Sequence, residues 1–421
     1  MSTNERTCDV LVVGGGPAGS ATATLAAKNG RSVILLEKEL FPRFRIGESF
    51  MPATWWSFER LGLLDKLAKA GFTRKHSVQF YLKDGRATQP FYFSDINPHE
   101  SAVTWQVDRA TFDKLCLEHS AECGVEVHQG SPVIDILFEG ERACGARALI
   151  GGVETVVRSK VVVDASGQNS ILARRFGLRR FDPMLKNAAV FTRFKGAFRD
   201  PGRDEGATLV MHTNQGKSWF WYIPLAGDVV SVGVVGPIEY LIKDRSGDPS
   251  KIFAEEVERC PGLVPRIKGR EQVAPMQVLR DFSYISDRIA GEGWLLAGDA
   301  FGFLDPIYSS GVLLALKCAE FTADAIEEAF QADDFSAARL GRHGPRFVAG
   351  MEDLRRLVYA YYAPEFHFKA FLDRFPECRA GLTALLVGNV FRQSSEELYA
   401  KMAQVLDLPG YTPLSLPGAS R

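Results

Sequence analysis

Gly14, Gly16 and Gly19 stand in a G-x-G-x-x-G spacing directly after the apolar run CDVLVV (8–13). At a turn from strand to helix this spacing has a physical purpose. The first glycine permits the tight turn, the second lets backbone approach a pyrophosphate, and the third lets helix and strand pack closely. Pro17 and Ala18 open an Ala-rich helical stretch that ends at Asn29-Gly30. The free N–H groups and partial positive charge at its start favour an anion. A second apolar run, SVILL, ends at Glu37, where a carboxylate can accept hydrogen bonds from a ribose with a free 2′-OH. A lone G-x-G-x-x-G carries little information. Here strand, loop, helix, strand and acidic residue come in the order that dinucleotide binding requires.

Two more strand ends carry acidic residues. VVVDASGQNS (161–170) runs an apolar strand into Asp164. GWLLAGDAFGFLDPIYSSGVLLALKCAEFTADAI (293–326) runs a strand into Gly298-Asp299, then a loop holding Pro306, then a long helix that starts around Ser310, Gly311 and Val312. Asp299 suits a ribityl hydroxyl, and the helix start suits a flavin carbonyl or an anion. Singly, each Asp-Gly or Gly-Asp reads as a turn. Together with the glycine loop they point to a dinucleotide site. SWFWYIP (218–224) raises a different question. On a strand Trp219 and Trp221 share one face, and Phe220 and Tyr222 the other. From the residues alone the run is either core packing or a wall around something reactive. Lys75, beside Arg74, reads alone as a surface cation, and its neighbour His76 as structural.

The elements that must position these residues belong to a chain of 421 residues, long enough for two or more domains. Fifty basic against 51 acidic residues give a net charge of −1, which offers no footprint for nucleic acid or an anionic membrane. No apolar run is long enough to span a bilayer. The seven cysteines contain no C-x-x-C pair, so they read as reduced thiols of a cytoplasmic protein with no metal site.

The order GGGPAG, DASG and GD, with RFRIGES (43–49) and WQVDRATFDKLC (105–116) between, resembles the flavoprotein monooxygenases and halogenases that hold a single dinucleotide. The resemblance implies FAD along Gly14, Gly16, Pro17, Ala18, Gly19, Glu37, Arg45, Gln106, Arg109, Asp164, Gly298, Asp299, Pro306, Gly311 and Val312. It implies an α/β fold of the single-component monooxygenase type. A Rossmann-like FAD-binding domain (1–75, 105–180 and 285–335) would carry an antiparallel substrate-side sheet (76–104 and 181–284) and a C-terminal helical region (336–421). That last region reads as helices packed on the core, with a pocket wall as the alternative, and 408–421 as a loosely ordered end. Residues 83–95 signal a hairpin.

Within this fold SWFWYIP is similar to the W-x-W-x-I-P signature of flavin-dependent halogenases, through Trp219, Trp221, Ile223 and Pro224. FLDPIYSSG matches a second signature, and Lys75 with Phe80 matches most of a third, with Ser77 in place of its glycine. The pattern is most similar to the phenol-halogenating branch of the tryptophan halogenase superfamily. The resemblance implies that FADH2 from a separate flavin reductase, O2 and chloride or bromide yield hypohalous acid. The halide would sit at the backbone of Ser310 and Gly311, the tryptophan strand would screen the flavin, and Lys75 would relay the oxidant. The substrate would be a phenolic or other electron-rich aromatic, free or tethered to a carrier protein. Tyr308 stands where tryptophan halogenases carry a glutamate, which argues against free tryptophan. A monooxygenase or geranylgeranyl-reductase-like oxidoreductase of the same fold is the alternative.

Overall fold

The computed structural model describes residues 4–409 except 97, 244, 246 and 393. The predicted end segment therefore lies outside the described residues from 410 onward. The two strands flanking the glycine loop, Asn4–Val13 and Val33–Leu36, are adjacent and parallel, with Val10 opposite Val33. Strand Val153–Asp164 runs parallel on the other side, followed by Trp294–Leu296, while Glu126–His128 closes the far edge. The central segments are Val, Ile and Leu throughout and almost wholly buried. A parallel sheet covered on both faces requires that composition. Helix Pro17–Lys28 and helix Gly311–Ala332 pack on each other on one face, so the two predicted anion-facing helix starts lie together.

A second sheet stands over the ends of the first. Its order is Glu271–Gln272, Asn187–Lys195, Val229–Pro237, Trp219–Leu225, Thr208–His212, Ser77–Tyr81 and Phe91–Tyr92, with Gln277–Arg280 also on Asn187–Lys195. The hairpin signal at 83–95 corresponds to the antiparallel pair Ser77–Tyr81 and Phe91–Tyr92. The sequence predicts an antiparallel sheet, and one pair of strands departs from it. Ser77–Tyr81 pairs in parallel with Thr208–His212, and the chain between them leaves to add strands to the first sheet before it returns. The strand alternation in SWFWYIP is as predicted. Phe220 and Tyr222 pack with Leu241, Phe253 and Leu263 on the outer face, whereas Trp219, Trp221 and Ile223 face inward.

The C-terminal region forms helices Gly344–Tyr362, Phe368–Arg374, Arg379–Leu386 and Glu396–Met402. The first ends at Ala363, before Pro364, whose ring disfavours helical backbone in the residue ahead of it. These helices share one buried apolar cluster with the parallel sheet. The end of Gly344–Tyr362 also joins the cluster around Trp219 and Trp221. The region packs on the core and, through this helix end, behind the tryptophan strand, and none of its described residues lines the cavity. Among the described residues no helix is long and apolar enough to cross a membrane.

Candidate active site

A cavity of about 560 Å³ runs from the glycine loop to the inward face of the tryptophan strand. At its first end Gly14, Gly16, Pro17, Ala18 and Glu37 line it. Gly14 has φ +109°, and a Cβ there would lie 2.4 Å from the Ala165 carbonyl oxygen. Gly19 does not line the cavity. Its missing side chain lets the helix sit on the turn, since a Cβ would lie 1.9 Å from the Gly14 carbonyl oxygen. The Glu37 carboxylate accepts from Gly15 N at 2.7 Å and Glu39 N at 2.9 Å, which fixes it at the rim. For Gly14 and Gly19 these are the steric roles that the glycine spacing predicts.

The predicted cations divide. Arg109 lines the cavity, held by Asp113 through Nε and Nη2 at 2.8 and 3.0 Å and donating to the Ile46 carbonyl at 2.6 Å. Arg45 lines the mouth and pairs with Glu39. Sequence reasoning missed Arg43. It donates to Asp113 at 2.7 Å, and its guanidinium lies 3.6 Å from where a Cβ on Gly16 would be. A single guanidinium beside the loop has no sequence signature when another lies two residues on.

Asp299, Pro306, Gly311 and Val312 line the middle of the cavity. Burial pushes the Asp299 carboxyl up to about 6, against the pull of Arg109. Gly298 lies behind it, where a Cβ would meet that of Ala18 at 2.7 Å. Asp164 also stays behind the wall. It accepts from Ser166 N and Leu172 N at 3.0 and 2.7 Å, so it shapes the turn that carries Ala165 and Ser166 into the cavity. Ser309 has φ +57° and turns the chain into helix Gly311–Ala332. Ser309 and Gly311 reach the cavity, while Ser310 lies just behind them.

Trp219, Trp221 and Ile223 form the far wall, with Phe191 and Val210. Pro224 is buried on the opposite side of its strand and does not line the cavity. Both indole N–H groups are held. Trp221 donates to Ser231 at 3.1 Å, and Trp219 donates to the Tyr362 hydroxyl at 2.9 Å. Tyr362 in turn donates to Asp305 at 3.1 Å, which also accepts from Asn187 Nδ2 and Ile307 N at 3.0 Å each. Sequence reasoning missed this link between the C-terminal helix and the loop before Ser309.

Lys75 is not the surface cation that Arg74 beside it suggests. Its side chain is 2% exposed. Nζ donates to Ser49 Oγ at 2.9 Å and to the Phe50 carbonyl at 3.0 Å, and lies 5.5 Å from the Phe93 ring centre. Burial alone brings its pKa down to about 7. Lys75 does not itself line the cavity, but Ser49 does. Gln106 is also set back, fully buried, with Nε2 donating to Gly206 O at 3.0 Å and Thr208 Oγ1 at 2.8 Å. Ser77 fits where the signature has glycine, because its hydroxyl turns to Asp204 at 3.3 Å. His76 is half-buried and does not line the cavity.

A glycine cradle that a Cβ would fill, two helix starts and a carboxylate at the rim suit a dinucleotide, and the long cavity beyond suits its flavin. Residues 7–320 match the FAD binding domain family. The chain is 32% identical to the 1H-pyrrole-2-carbonyl peptidyl-carrier-protein chlorinase of Pseudomonas fluorescens, over 94% of this chain and 93% of that protein. It is 34% identical to the corresponding brominase of Pseudoalteromonas luteoviolacea, over 91% and 92%. The solved structure of flavin-dependent brominase Bmp2 superposes with a TM-score of 0.85 at 32% identity, covering 94% of this chain and 98% of that one.

Proposed function

The chain belongs to the flavin-dependent halogenases, and from that premise we propose that it halogenates an electron-rich aromatic ring, a pyrrole or a phenol, carried as an acyl group on a peptidyl carrier protein. The carrier-bound pyrrole named for the relatives supports the tether and the pyrrole. Tyr308 in place of a glutamate supports a ring that needs little activation. The observation that carries the reading is Lys75, a buried amine one hydroxyl behind the wall of a cavity suited to a flavin.

Bound FAD, reduced by a separate flavin reductase, supplies with O2 the oxidising equivalents that turn chloride or bromide into hypohalous acid. Gly14, Gly16, Pro17, Ala18, Glu37, Arg43, Arg109 and Asp299, which line the cavity, would hold it. The start of helix Gly311–Ala332, with Ser310 and Gly311, offers N–H groups to the halide in a site of low polarity. Trp219, Trp221 and Ile223 keep the organic ring from the flavin, so oxygen is not transferred to it. Lys75 receives the oxidant. As ammonium it donates a hydrogen bond to hypohalous acid. As amine it exchanges an N–H hydrogen for the halogen and releases water. The ring then takes the halogen and gives up a proton.

The test uses FAD-loaded protein reduced anaerobically, then O2 with bromide and catalase. Pyrrole-2-carbonyl and hydroxybenzoyl carrier thioesters, their free acids and monochlorodimedone serve as acceptors. We expect bromination of a carrier-bound ring, lost in Lys75→Ala. Bromination of the free acids alone would remove the carrier from the proposal. Equal bromination by Lys75→Ala would remove the lysine.

A further inference from the structure

Lys75 reaches the cavity wall through the Ser49 hydroxyl, which is linked to a second wall hydroxyl, that of Thr208. Ser49 Oγ lies 2.9 Å from Lys75 Nζ and 2.9 Å from Thr208 Oγ1, and both Ser49 and Thr208 line the cavity. Their places are fixed by backbone. Ser49 is bridged to Gln106, while Glu48 O accepts from Val107 N and Phe50 N donates to Trp105 O. Thr208 begins the strand beside Ser77–Tyr81. The Gln106 amide cannot be reversed without facing its oxygen to the Gly206 carbonyl, so Nε2 is the donor to Thr208.

We propose that Ser49 and Thr208 form a two-hydroxyl proton path between Lys75 and the cavity, and so set which form of the lysine meets the oxidant. Both are positioning residues, and the inference rests on Lys75 acting as proposed above. A hydroxyl has one donor and two acceptor sites. With Lys75 as ammonium, Nζ donates to Ser49, Ser49 donates to Thr208, and Thr208 also accepts from Gln106. Both Thr208 lone pairs are then used, and its own hydrogen must find an acceptor in the cavity. In the exchange a proton passes from Nζ to Ser49, the former Ser49 hydrogen passes to Thr208, and the former Thr208 hydrogen passes to a cavity water. The products are a neutral amine that accepts from Ser49, two intact hydroxyls and a hydronium ion, and no electron is transferred. In both end states the Ser49 and Thr208 hydroxyls each keep a hydrogen-bond partner.

Among the described residues no other contact of Nζ provides this exit, and the cross-strand neighbour Thr104 is buried away from the cavity. The Phe50 carbonyl accepts from Nζ but holds no proton to pass on, and the Phe93 ring is apolar. The charged groups of the surrounding elements face elsewhere. Glu48 binds Arg193, Asp204 holds Ser77 and Tyr92, Arg74 lies over Trp105, and Arg203 lies over Tyr92. His76 presents its ring on the other side of the strand from Lys75, where Arg203 and Arg74 help burial to hold its pKa down.

The test is Thr208→Val, nearly the same shape without the hydroxyl, with Thr208→Ser as the conservative control, both in the full FAD-loaded chain. Hypochlorous acid added directly to the protein, with halogenation of Lys75 followed by peptide mass spectrometry, reads the amine without turnover. Wild type is expected to react faster as pH rises through 7. Thr208→Val should react on the order of tenfold more slowly and with a flattened pH dependence, and Thr208→Ser should restore both. Single-turnover bromination should follow the same order, with the wild-type solvent deuterium effect reduced in Thr208→Val. Wild-type rates and pH dependence in Thr208→Val, while Lys75→Ala is inactive, would overturn the proton path alone. Full bromination by Lys75→Ala would overturn the lysine's role and the path with it.

Discussion

Lys75 shows how much one residue's chemistry depends on which way the three-residue strand Thr73–Lys75 faces. Arg74 is exposed, Lys75 is buried and Ser77 is buried again. Three residues are too few to display that alternation in sequence, so the charges around Lys75 read as surface. Only the family signature pointed to it. Its burial carries a stability consequence whose sign follows from linkage. The folded pKa of about 7 lies below the ordinary 10.5. Between these values the unfolded chain binds more protons, so stability rises with pH across that window and is flat below it. Lys75→Met removes the penalty. Denaturant unfolding should find the variant more stable at pH 7 by roughly 4 kcal/mol, with the difference reduced to about 1 kcal/mol at pH 10. A difference that does not depend on pH would mean that Lys75 titrates normally. The cofactor loop was far more legible, because each glycine there answers a steric demand that any backbone would make. Asp164, Gln106 and Ser310 were legible only as members of motifs. Their side chains sit one layer behind the cavity, a distinction that depends on the packing of other elements.

At the scale of elements, the tryptophan strand works only with its neighbour. Trp221 pairs with Gly233 of Val229–Pro237, and its ring lies across that glycine, where a Cβ would fall 2.2 Å from a ring carbon. Gly233 has ordinary extended backbone, so its purpose is space. Gly233→Val should force the indole off its seat, break the Trp221–Ser231 hydrogen bond and cost about 1–3 kcal/mol in chemical denaturation. The displaced ring should also weaken FAD retention on gel filtration. Unchanged stability would show that the ring has another place to go. The strands themselves were readable where apolar runs met turn residues, as at 8–13, 32–36 and 161–164. Their partners were less so. The parallel pairing of Ser77–Tyr81 with Thr208–His212 joins segments more than a hundred residues apart, and local periodicity carries no information on such a pairing.

At the scale of the whole molecule, the C-terminal helices decide whether the cavity has a removable cover or a built wall. Phe347 meets Phe301, two residues after Asp299, edge-on at 5.8 Å. Met351, Leu354 and Leu357 are almost wholly buried in the cluster that contains the parallel sheet. Tyr362 holds both Trp219 and Asp305, and Val387 O accepts from Ala53 N. These contacts fix the tryptophan wall, the loop before Ser309 and the segment after Ser49 at once. A lid that opens would need a polar, separable interface, and this one is a continuous apolar cluster tied further by these hydrogen bonds. Truncation after residue 335 should therefore give no soluble, yellow protein, as read by soluble expression and flavin absorbance. A soluble, FAD-loaded 1–335 fragment would show that the helices are a detachable cover, and substrate access would then run through their movement.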